Sequence, residues 1–158
     1  MTTQSGMQRD ANFTAIQGNH SLLVKKTMTL AGGTANDPGD FDGTGNPATL
    51  FTVTGPNLVS IFAVCEVNLD VAGAATIEVG ITGNTAALIA QTTAANIDAD
   101  EVWVDNAPAT IEALPSSYIL GNGQDIIQTV ATANITAGKL TYYCFFRPLT
   151  DTADIVAA

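Results

Sequence analysis

Histidine, lysine, arginine, cysteine and tryptophan are nearly missing from this chain of 158 residues: it has one His (His20), five Lys plus Arg, two Cys and one Trp. A lone histidine with no Cys-x-x-Cys beside it leaves a zinc site short of ligands. There is no G-x-S-x-G, no P-loop and no G-x-G-x-x-G. Groups that move protons or attack carbonyls are thus scarce and scattered, so the sequence points away from an enzyme and calls for no cofactor. With so few cations and a net charge of −10, phosphate has nothing to bind, which excludes nucleic acid as the direct ligand. No stretch reaches the roughly 18–20 apolar residues of a membrane span. The opening MTTQSGMQRDANF lacks a basic segment followed by an apolar one, so no secretory signal is expected.

What is there builds strands and turns. Thr (22) and Ala (24) dominate, with 14 Gly. Thr with Val and Ile favours strands; Gly and Asn favour the turns between them. Apolar residues make up 46%, enough for a core, while charged residues are only 13%, about half the usual share. A surface so thin in charge is either coated by Thr, Ser and Asn or partly covered by a partner. For an acidic domain that partner is a basic protein surface, although solubility alone accounts for the charge equally well.

Residues 1–20 carry no period and read as an extended arm; residues 21–158 read as one β-domain. SLLVKKTMTL (21–30) is the first strand. AGGTANDPGDFDGTGNP (31–47) is turn chemistry throughout, a long loop of the kind that is functional or mobile. ATLFTV (48–53) follows. LVSIFAVCEVNL (58–69) alternates, placing Val59, Ile61, Ala63, Cys65, Val67 and Leu69 on one face. Its other face, partly apolar at Phe62 and Val64, suggests a strand covered on both sides. ATIEVGIT (75–82) sends Ala75, Ile77, Val79 and Ile81 inward. AALIA (86–90) is strand or one helical turn. EVWVD (101–105), ATIEAL (109–114) and SYIL (117–120) are short strands split by Pro108 and Pro115, and Gly121-Asn122-Gly123 is a hairpin-grade turn. DIIQTVATA (125–133) and KLTYYCFFRPL (139–149) close the domain, and DTADIVAA is a short helix or a docked strand. The spacing is that of an all-β sandwich or barrel. The expected core holds Ile61, Ala63, Val67, Ile77, Val79, Ile81, Val130, Tyr142 and Phe146. The run A-N-I-x-A occurs at 95–99 and at 133–137, so two similar turns, each with one buried Ile, are expected. Cys65 and Cys144 sit at inward parity and read as buried thiols, with a disulfide between neighbouring strands as the alternative.

Three constellations are candidates for binding. Asp40, Asp42 and Thr44 space oxygens like the start of a calcium loop, with Asp37 nearby. Phe51 stands where the closing Glu would be needed, so no metal site is expected and Asp37, Asp40 and Asp42 remain the only candidates. Asp98, Asp100, Glu101 and Asp105 surround Trp103, and strand parity sets Glu101, Trp103 and Asp105 on one face. Trp103 is then a partner-facing aromatic, a sugar-stacking one or a core residue. Lys25-Lys26, the one basic pair, reads as a guarded strand edge or a partner contact.

At LFTVTGPNLVSIFAVCEVNL, ATIEVGITGNTAALIAQTTAANIDADEVWVD and QDIIQTVATANITAGKLTYYCFFRPLT the chain resembles a group of small β-rich virion proteins of tailed bacteriophages. The resemblance spans roughly residues 48–149 and is weaker over 1–47. It carries no catalytic residues. It implies a jelly-roll-like sandwich in the virion, present in many copies as a homo-oligomer, a trimer favoured, with the major capsid protein or other virion proteins as partners. The role it favours is capsid decoration (cement). The alternative is a tail or head-fibre component that binds a carbohydrate or receptor. Trp103, Tyr118 and Tyr143, with Lys25 and Lys26, are the candidate contact residues.

Overall fold

The computed structural model describes residues 22–158, and the expected arm at 1–20 lies outside them. Among the described residues are ten strands and one short 3-10 turn, Ala94–Asn96. They form two antiparallel sheets. Sheet A runs β1 (Leu22–Thr29), β9 (Ile135–Pro148), β3 (Asn57–Val71), β6 (Val102–Trp103), with β7 (Tyr118–Leu120) also paired to β3. Sheet B runs β10 (Asp154–Ala157), β2 (Ala48–Thr54), β8 (Ile126–Ala131), β4 (Thr76–Ile81), β5 (Asn84–Thr93). The all-β sandwich expected from the alternation is the fold.

Inward residues of both sheets meet in one core. Ile61, Ala63, Ile77, Val79, Val130, Tyr142 and Phe146 are buried in it as expected, and Ile81 is packed against it, half-buried. Val67 is not in the core. It is 50% exposed, because the β3–β9 register shifts between Cys65 and Val67 and again between Val67 and Asp70. Each shift inserts an extra residue and flips the faces, so Val67 is turned outward and Leu69 is turned back in.

Two further expectations change. Residues 109–114 form no strand: a single bridge joins Ala109 to Val102, and Ile111 and Leu114 stand 85% and 80% exposed. Pro108 and Pro115 flank it and have no N–H with which to extend a ladder beyond either end. AALIA is part of β5, and the tail is a strand docked on β2. The two A-N-I-x-A runs each bury their Ile, Ile97 and Ile135 at 0% exposure. Their backbones differ, since the first runs out of the 3-10 turn and the second opens β9.

Side-chain hydrogen bonds to and from distant parts of the chain hold the 31–47 loop. Asn46 donates to the carbonyls of Phe41 and Val130 and accepts from the Val130 N–H, at 2.7–2.9 Å. Asn134 donates to the Gly32 carbonyl and accepts from the Phe41 N–H. The buried Tyr142 hydroxyl donates to Gln128, whose amide donates to the Pro38 carbonyl, linking both sheets to the loop. Gly39 lies against the Ile135 carbonyl, where a Cβ would collide.

Candidate interaction surface

The outward face of sheet A gathers side chains that the core does not need. On β3 these are Phe62 and Val64; on β9, Thr141, Tyr143 and Phe145; on β1, Leu23, Lys25 and Thr27. Cross-strand register sets Lys25 opposite Tyr143, and Tyr143 opposite Phe62. The Phe62 and Tyr143 rings stack at 5.3 Å and 16°, and Phe62 and Phe145 at 6.1 Å. Such pairs gain about 0.5–1.5 kcal/mol beyond their buried area. Leu23, opposite Phe145, is 52% exposed.

Beside the aromatics runs a polar strip. Glu66 accepts from the Thr141 hydroxyl, which also hydrogen-bonds Thr27 at 2.7 Å, and Lys139 lies 3.4 Å from Glu66. The Thr141 bond, and then the Lys139 ammonium and Lys25, hold the Glu66 carboxyl below the usual range.

Of the candidate contact residues, Tyr143 and Lys25 belong to this face. Lys26 does not: adjacent strand residues point oppositely, and its ammonium reaches across to sheet B, donating to the main-chain oxygens of Thr49 and Ala158. Tyr118 is 38% exposed on β7. It lines a separate cleft of about 290 Å³ with Leu88, Val104 and Leu114.

Trp103 is corrected from surface to core. It is 0% exposed, its indole N–H donates to the Thr92 hydroxyl at 2.8 Å, and its ring meets Tyr142 edge-on. No face of the indole is left for a sugar or a partner. The acids around it do local work: Glu101 accepts from the Asp98 N–H and Asp105 from the Ala107 N–H.

In the 31–47 loop, Asp37 accepts from the backbone N–H groups of Thr34 and Gly33, which lower its pKa. The mostly buried Asp40 accepts from the Asp42 N–H. Among the described residues no three His, Cys, Asp or Glu side chains gather as a metal would need. Chelator treatment should therefore leave the melting temperature unchanged. A fall of many degrees, reversed by calcium and abolished by Asp37→Asn or Asp42→Asn, would establish a metal in the loop.

Cys65 and Cys144 are free and buried. Burial pushes the Cys65 thiol up to about 11 and the Cys144 thiol up to about 12, from an ordinary 9.0. Below pH 9 both states keep their thiols protonated. As pH rises further the unfolded thiols ionise first, so stability declines until the folded values are passed. The melting temperature should fall between about pH 9 and 11, and by less in a variant carrying Cys65→Ala and Cys144→Ala. A transition equally flat in both proteins would mean the thiols are not shielded.

Missing from the candidates were Phe62, Phe145, Leu23 and the exposed Ile111, Leu114 and Ile119. For Phe62 a signal existed, since the second face of β3 reads as partly apolar.

No protein-family model matches the chain, and no curated protein matches it in sequence. Among solved structures it is similar to a chain of the "Acidic stable capsid structure of Helicobacter pylori bacteriophage KHP30", at 13% identity and a TM-score of 0.51. The match covers 87% of this chain and 94% of that one. At that identity the similarity is one of fold.

Proposed function

We propose that this chain is a structural protein of a tailed-phage virion that decorates the major capsid lattice without catalysis. The observation that carries this is the fold match, which pairs nearly the whole of this chain with nearly the whole of one from a phage capsid. The strand order supports it. β1 pairs with β9, β2 with β8, β3 with β6 and β7, and β4 with β5. We read that order as a long hairpin rolled up into a jelly roll, a fold that recurs in viral capsids. Many weak contacts repeated over a symmetric lattice would add up to high avidity. Carbohydrate binding at a tail or fibre has less behind it, because Trp103 is in the core.

The test uses purified particles stripped of this chain. Added protein should co-sediment with them in many copies per particle and raise the temperature at which they release their contents. Deleting residues 1–20 should leave the protein's own melting transition nearly unchanged and weaken its loading. Loading of the truncated chain equal to that of the full chain removes the arm from the proposal. A few copies per virion would indicate a tail or fibre part, and absence from purified virions removes the structural role altogether.

A further inference from the structure

The charge of this protein is unevenly placed. Against 15 Asp plus Glu it has five Lys plus Arg, and Lys25, Lys26, Lys139 and Arg147 are the ones among the described residues. Lys25 and Lys139 stand on the outward face of sheet A, and Arg147 follows Tyr143 and Phe145 in the same alternation. Glu66 lies among them, paired with Lys139. A protein of net charge −10 thus concentrates its cations around a stacked aromatic patch.

The opposite charge is gathered at the other edge of the same sheet. The turn carrying Asp98, Asp100 and Glu101 is hydrogen-bonded onto β3, by the Cys65 N–H to the Glu101 carbonyl and the Asp100 N–H to the Cys65 carbonyl, both at 2.9 Å. The Ala99 N–H is held by Asn68 at 2.7 Å. Asp98 and Asp100 are exposed. β1 and β6 are separated by β9 and β3, so Lys25 and this acidic turn lie about 14 Å apart across the sheet. That exceeds the Debye length of about 8 Å at physiological salt, so the attraction between the two within one molecule is largely screened.

We propose that the outward face of sheet A is a self-association surface: its aromatic patch and Lys25 bind the Asp98–Glu101 turn of a second copy, head to tail. Two different patches meet in such a contact, so it repeats around a ring when the rotation closes. The occupant is a second copy because this chain itself supplies the complementary charge, already fixed in place by the backbone. The inference rests on the fold and charge placement alone and stands whether or not the chain binds capsids.

Sedimentation of the full chain tests it. Association should depend on concentration and weaken as salt rises from about 50 to 500 mM. Lys25→Glu and Asp98→Lys should each raise the dissociation constant about tenfold or more. The two together should restore association, since each variant contact regains an opposite charge. Tyr143→Ala should weaken it without salt dependence. Melting curves matching the parent's confirm that each variant is folded. A chain that stays monomeric at every concentration in low salt overturns the proposal. So does an oligomer indifferent to both charge reversals. A monomer that loads onto particles through Lys25 and Tyr143 also overturns it, assigning the face to the capsid while leaving the proposed function intact.

Discussion

Val79→Asp should leave no cooperatively folded protein. Val79 is 0% exposed in the middle of β4, between Gln128 of β8 and Ile89 of β5. Removing its side chain from the core forfeits about 1.5–3 kcal/mol of apolar burial. The carboxyl that replaces it enters the core beside Gln128, whose amide is already bonded to Tyr142 and the Pro38 carbonyl, and burying it without a partner costs several kcal/mol more, whether it stays charged or takes up a proton. Together these approach the whole stability of a domain this size, about 5–15 kcal/mol. The chain should go to inclusion bodies, and any soluble fraction should show no melting transition and readily labelled thiols. Thr82→Asp, three residues on and exposed, should change stability by no more than about 0.5 kcal/mol. A soluble Val79→Asp protein with a sharp transition would show that the inward face of β4 is wrongly placed.

The second large effect is at Trp103. Replacing a fully buried Trp by Ala costs about 3–5 kcal/mol, because the neighbours close only partly over the space. Here the indole also supplies the edge-on contact with Tyr142 and a hydrogen bond to Thr92. Trp103→Ala should lower the melting temperature by about 10 °C or more. Trp103→Phe should fall between, keeping the ring and losing the hydrogen bond. Below their melting temperatures both variants should load onto particles, molecule for molecule, as the parent does. If Trp103→Ala instead melts like the parent and fails to bind, Trp103 is a contact residue after all.

Alternation made much of this fold legible. Where strands are long and one face is buried, as in residues 59–65, 76–81 and 140–146, period two names the inward residues correctly. It failed where the period was broken by something outside the segment. Two register shifts against β9 turned Val67 outward, and neither leaves a mark in the sequence around Val67. Parity sets Trp103 on one face with Glu101 and Asp105 only if the strand reaches them, and β6 is only Val102–Trp103. The glycine-rich 31–47 segment reads as loose. Yet Asn46, Gln128 and Asn134 hydrogen-bond to it and around it, two of them from more than 80 residues away, and no local rule anticipates such a partnership. Of the interaction face, the sequence offered Tyr143 and Lys25. It could not offer their juxtaposition with Phe62, which depends on how β1, β9 and β3 are ordered.

That order also governs when the chain can fold. β9 lies between β1 and β3 in sheet A, and β8 lies between β2 and β4 in sheet B. During synthesis the ribosome delivers β1 through β7 before either central strand exists. β1 then waits for a partner more than 100 residues downstream, with Leu22 meeting Phe146. Pairings this distant in sequence are slow to close, on the millisecond-to-second scale, and the waiting strands are open to pairing with other chains. A ribosome that stalls before β8 therefore releases a chain in which neither sheet has its central strand.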